Sequence, residues 1–193
     1  MKRLFVVTFV LSAFILLGYS AATHAGKSKK KKLYTACNIW VHSYMKCINY
    51  KMGGVIPAGT EVSGVRSGYD DQDLKCYIYF KTEVSKKEYK LEFKRMWHPG
   101  KRMKDYKNYL FTEKTFNEIV KGMNETEIRA IMLGKVVVGM SKKAVLVSYG
   151  RPPEHRTPDL KSDKWRYLIN KRKQKTICFH KGLTLRCSDL KKL

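Results

Sequence analysis

The side chains most suited to chemistry in this chain are five cysteines, at 37, 47, 76, 178 and 187, and five histidines, at 24, 42, 98, 155 and 180. Cys37, His42 and Cys47 are close enough to suggest a metal group. Three ligands at irregular spacing fall short of the four that a structural zinc takes. None of the histidines sits in HExxH, a nucleophile elbow or a phosphate loop, and no carboxylate pair stands out as acid and base. The histidines read as surface or loop residues, and the chain is expected to carry no catalytic residue, metal or cofactor. The remaining chemistry of the cysteines is oxidation to disulfides, with one cysteine left over, in an exported chain. Cys47–Cys76 is the bridge expected within the first module.

Binding is better served than catalysis. Lys and Arg number 40 against 16 Asp and Glu, a formal charge of +24. Such a field attracts polyanions of any kind. Arg151, His155 and Arg156 form a basic turn, followed by Arg166 and the run Lys171, Arg172 and Lys173; these are the candidate anion or partner contacts. Trp40, Tyr44 and Tyr50 are the candidate lining of an aromatic groove.

The elements that must position these residues are clearest between Val138 and Cys187. Ser141 precedes KKAVLVSY and can cap a helix. Gly150 supplies a left-handed residue to end it, and Pro152 and Pro153 forbid continuation. Trp165, Tyr167 and Ile169 then alternate with polar neighbours, as in a strand with one buried face. Ile177 and Phe179 open a second strand, and Leu183, Leu185 and Cys187 a third. These five share a face only if the intervening loop holds an odd number of residues, which His180-Lys181-Gly182 provides. That register puts Cys178 and Cys187 on opposite faces, beyond disulfide geometry. Cys187 is then a core thiol, and Cys178 free or paired elsewhere; a two-residue Gly182-Leu183 loop would instead set them opposite each other.

Gly139-Met140 ahead of the capped helix, Val145, Tyr149-Gly150-Arg151-Pro152, the Trp165/Tyr167 strand and the Phe179/Gly182 hairpin together resemble the BamE/SmpA/OmlA family of bacterial envelope proteins. The resemblance covers roughly the last third of the chain. It implies two helices against a three-stranded antiparallel sheet over 124–193. It also implies a non-catalytic accessory role in outer-membrane protein assembly. Many members are lipid-anchored, whereas the first cysteine here is Cys37, so no lipoprotein cysteine is expected.

Upstream, Met1-Lys2-Arg3, the apolar run Leu4 to Leu17 and Thr23-His24-Ala25 read as a secretory signal over 1–25. A basic linker follows over 26–33. From 34 to 96 the chain reads as short strands with glycine-rich turns, a small barrel. Cys76, Ile78 and Phe80 share one face there, and Tyr89, Leu91 and Phe93 are in phase. Asn38-Ile39-Trp40 and Ile56-Pro57-Ala58-Gly59-Thr60 resemble bacterial SH3-like domains, which implies peptide or cell-wall binding. Residues 97–123 read as a solvated connector with one helix near Phe116, and Asn124-Glu125-Thr126-Glu127 as a capping box.

The expected fold class is thus α+β, a small SH3-like β-barrel followed by a two-helix, three-stranded domain. The expected function is an exported, non-enzymatic binding protein, periplasmic and peripheral rather than integral to the membrane. Its expected partners are envelope proteins, anionic lipid or cell-wall polymer, with no nucleic acid; the alternative is a peptidoglycan- or protein-binding module.

Overall fold

A computed structural model describes residues 31–72 and 74–192. The expected signal, 1–25, and the linker up to residue 30 lie outside the described residues. Lys31–Leu193 forms one compact unit of mixed α and β structure, in which apolar side chains gather into two cores.

The first core lies inside a six-stranded sheet that curls into a half-barrel. Its strands are β1 (Leu33–Thr35), β3 (Met45–Lys46), β5 (Glu61–Asp70), β6 (Lys75–Thr82), β7 (Glu88–Phe93) and β8 (Phe111–Thr112), in the order β3-β7-β6-β5-β1-β8. A separate pair, β2 (Ile39–Val41) and β4 (Gly54–Ile56), runs antiparallel. Alternation decides the faces. Cys76, Ile78 and Phe80 stand opposite Phe93, Leu91 and Tyr89, and Phe80 stacks on Tyr89 at 5.2 Å. The other face carries Tyr77 beneath Lys90 at 4.0 Å and Tyr79 beneath Arg66 at 4.3 Å.

Residues 97–123 are not a solvated connector throughout. α1 (Met103–Leu110) buries Tyr106 and Leu110 in the first core, because its apolar residues recur four apart and so lie on one helical face. The short α2 (Phe116–Ile119) starts at Thr115, whose N–H donates to the Glu118 carboxylate at 2.8 Å.

The second core is built from α3 (Glu125–Met132), α4 (Lys142–Tyr149) and the antiparallel sheet β9 (Lys164–Leu168), β10 (Gln174–His180) and β11 (Leu183–Leu185), ordered β11-β10-β9. Asn124 Oδ1 accepts from Glu127 N–H at 2.9 Å, and the Glu127 carboxylate accepts from Asn124 N–H at 3.1 Å, completing the capping box. Ser141 Oγ accepts from Ala144 N–H at 3.2 Å at the head of α4. Ile131, Val145, Trp165, Tyr167 and Phe179 are buried together, with Trp40 and Ala58 reaching into the same cluster from the first half of the chain. Fully burying a large apolar side chain stabilises by about 1.5–3 kcal/mol.

The last hairpin corrects the expected register. His180 pairs with Leu183, so the turn holds only Lys181 and Gly182, at φ 49° and 81°. Two successive positive φ values make the tight turn whose twist matches the strands. An even turn sends Ile177, Phe179 and Thr184 inward, and places Leu183 and Leu185 with Cys178 on the other face. Cys178 and Cys187 therefore share a face and form a disulfide, their Cα atoms 5.2 Å apart. Cys187 is exposed, not a core thiol. The expected Cys47–Cys76 bridge is absent: Cys37, Cys47 and Cys76 are free thiols, the first two buried.

Candidate functional site

A groove of about 470 Å³ opens between residues 42–52 and the β9–β10 turn. The first segment supplies His42, Tyr44, Lys46, Tyr50 and Met52, and the turn supplies Asn170, Lys171, Arg172 and Lys173. Four cations and an aromatic wall line it, and no carboxylate does.

Local chemistry holds both walls. Asn49 sits at φ 50°, and its buried side chain ties three segments together. Its Oδ1 accepts from Trp40 N–H at 3.0 Å, and its Nδ2 donates to the carbonyls of Asn38 at 3.3 Å and Tyr149 at 3.4 Å. Gly53, at φ 85°, lets the chain pass back under β2: a Cβ there would lie 2.2 Å from the Val41 carbonyl oxygen. Lys51 N–H donates to the Leu168 carbonyl at 3.3 Å, which brings the end of β9 beside the first wall. Beyond it, Asn170 Oδ1 accepts from Arg172 N–H at 2.8 Å and Lys173 N–H at 2.7 Å, a side-chain-closed turn. This leaves the side chains of Lys171, Arg172 and Lys173 exposed in succession.

The groove is donor-rich and electropositive. His42 Nδ1 accepts from Tyr44 N–H at 3.3 Å, which puts the ring proton on Nε2. Burial, with the Lys46 charge beside it, holds that imidazole below its ordinary pKa of 6.5, so it faces the groove as a neutral donor at pH 7. Burial also raises the Tyr50 phenol. Lys46 is shared, with Nζ 3.8 Å from the Glu92 carboxylate and 5.5 Å from the Trp97 ring. Tyr44 is 75% exposed and Met52 46%.

The residues singled out from sequence divide. Tyr44, Tyr50, Lys171, Arg172 and Lys173 come together in the groove. Trp40 does not join them: it is 7% exposed, because its ring closes the second core against Tyr149 at 5.6 Å. Arg151 lies over the Tyr109 ring at 3.8 Å, and His155 Nδ1 meets the Trp97 carbonyl at 3.1 Å. Both thus help dock the proline-rich turn onto the first half. Arg156 and Arg166 are exposed and line no part of the groove. His42, Lys46, Met52 and Asn170 were missed. Asn170 alone carried a signal, an asparagine followed at once by three cations between two strands.

Two buried clusters complete the inventory. His98 is fully buried, contrary to its reading as a surface residue, since its ring packs against Tyr106 at 4.5 Å and Phe93 at 6.1 Å. Its Nδ1 meets the Glu154 carboxylate, and its Nε2 lies 3.3 Å from the Cys47 carbonyl, which also accepts from the Tyr106 hydroxyl. Fully buried, the ring does not border the groove. In the second cluster, Lys51 Nζ donates to the Tyr149 carbonyl at 2.5 Å and faces the rings of Trp40 at 4.3 Å, Tyr149 at 5.5 Å and Tyr167 at 5.5 Å. Burial lowers its pKa to about 7, against the opposing pull of Cys37. Burial likewise raises the thiols of Cys37 to about 11 and Cys47 to about 12, which keeps both protonated and weakly nucleophilic at pH 7.

Among the described residues no three His, Cys, Asp or Glu side chains gather as a metal group, and no helix is long and apolar enough to cross a membrane. Comparison with protein-family models, curated proteins and solved structures finds no match.

Proposed function

We propose that this chain is an exported, non-catalytic binding protein of the bacterial envelope, an accessory or adaptor that holds an anionic partner in the Tyr44/Tyr50–Lys171/Arg172/Lys173 groove. The observation that carries this reading is the lining itself: four cations, two tyrosines and no carboxylate around one open cavity. The net charge of +24 extends the attraction beyond the groove. The basic-apolar-small start of the sequence and the Cys178–Cys187 disulfide support export to an oxidising compartment. In this reading the half-barrel is an SH3-like module, and α3, α4 and β9–β11 form a BamE/SmpA/OmlA-like one.

A titration with soluble polyglutamate at rising salt tests the anion site. Binding weakens steeply with ionic strength, and Arg172→Glu with Lys173→Glu removes it. Affinity that ignores both salt and those substitutions would sink the proposal. Recovery of outer-membrane assembly subunits from an envelope extract supports the adaptor role, whereas retention on insoluble peptidoglycan supports a cell-wall role instead.

A further inference from the structure

We infer that the occupant of this groove is an acidic polypeptide segment carrying one large apolar side chain, an inference that rests on the anion-binding reading above. Three observations select it. First, the backbone N–H groups of Arg172 and Lys173 are already spent on Asn170 Oδ1. Those two amides are therefore not available as a nest to clamp a single compact phosphate, and the turn meets an anion chiefly with its side chains. Second, the cations are divided between two walls, Lys46 on one and Lys171, Arg172 and Lys173 on the other. Charges on long separate stems match several carboxylates strung along a chain better than one dense dianion. Third, Met52 and Tyr44 are strongly exposed on the wall facing the basic turn. An adaptable thioether beside an aromatic ring suits an apolar side chain, where a sugar would ask for paired donors and acceptors. The absence of any lining carboxylate removes the counter-charge that a basic ligand would need.

The test compares labelled peptides by fluorescence anisotropy, using the chain from Gly26 onward, which contains the whole compact unit Lys31–Leu193. One peptide holds Asp and Glu around a single Phe; its partner has Gly in place of Phe. Polygalacturonate and inorganic phosphate serve as anions of other classes. The Phe peptide binds at least about 10-fold tighter than the Gly peptide, the effect of burying one large apolar side chain. Tyr44→Ser with Met52→Ser erases that ratio but leaves the Gly peptide's affinity in place. Lys171→Gln, Arg172→Gln and Lys173→Gln together weaken both peptides, while Lys81→Gln, Lys104→Gln and Lys121→Gln, which change the net charge equally, do not. Equal affinity for the two peptides, or preference for polygalacturonate or phosphate, overturns the peptide assignment and leaves the anion site standing. If no probe responds to the turn substitutions, both fall.

Discussion

His98 Nδ1 meets the Glu154 carboxylate inside the protein, 56 positions away in the chain, and so joins the turn after β7 to the proline-rich turn after α4. Nδ1 thus faces the carboxylate, and Nε2 the Cys47 carbonyl. Burial opposes ionisation of Glu154, but the His98 hydrogen bond and charge outweigh it and hold the carboxyl below its ordinary 4.5. A depressed carboxyl stabilises the fold above its unfolded pKa, and that contribution is lost as pH falls through the folded value. Thermal midpoints should therefore drop as pH is lowered past 4.5, and Glu154→Gln should flatten that limb. His98→Leu strands a buried carboxylate and should cost about 3–5 kcal/mol in urea unfolding. An unchanged acid limb in Glu154→Gln would remove the pair from the list of stabilising contacts.

Lys51 gives a pH dependence of opposite sign. Its folded pKa of about 7 lies below the ordinary 10.5, so from pH 7 upward the unfolded chain binds the extra proton and stability rises with pH. The slope is at most about 1.4 kcal/mol per pH unit, and the three facing rings, which favour the ammonium, oppose the shift and narrow the range over which it acts. Lys51→Met should abolish the rise between pH 7 and 10.5. Denaturant midpoints across that range decide it.

Thiol chemistry separates the cysteines. Iodoacetamide at about pH 8 should label Cys76, which is half-buried, and spare Cys37 and Cys47, whose thiols burial keeps protonated. Unfolding without reductant should expose three thiols, and adding reductant should release Cys178 and Cys187. Losing that short loop closure costs about 2–3 kcal/mol, read from unfolding with and without reductant. Peptide mapping that places Cys76 in a bridge contradicts this arrangement.

Gly150 ends α4 at φ 71°, ψ −174°, a conformation essentially confined to glycine. A Cβ would also stand 3.1 Å from Asn49 Nδ2 and 3.3 Å from Cys37 Sγ. Gly150→Ala should lose about 1–3 kcal/mol in urea unfolding. Gly122→Ala meets only open space, so it should lose less despite its own positive φ.

The parts legible in the sequence are those set by local rules. Ser141 and Asn124 cap helices because each side-chain oxygen meets a free N–H within its own first turn. Trp165 and Tyr167 alternate inward because a strand leaves them no other face. The hairpin register was misread because apolar type alone placed Leu183 and Leu185 in the core, whereas Thr184 is the buried residue of β11 and Leu183 is 49% exposed. Tyr106 and His98 escaped notice since basic neighbours hide an apolar stripe once pattern alone is weighed. Half of the groove was visible as separate clusters, Tyr44 with Tyr50 and Lys171 through Lys173. Their meeting depends on Lys51 N–H reaching the Leu168 carbonyl, a long-range contact that no local periodicity encodes.

The Asn49 amide, which grips Trp40, Asn38 and Tyr149 at once, ties the first wall of the groove to a residue 100 positions further along the chain. A polypeptide cut short of the β9–β10 turn would keep Tyr44 and Tyr50 but lack Asn170, Lys171, Arg172 and Lys173, the whole of the second wall. The two walls thus form one surface only where distant parts of the chain are folded against each other.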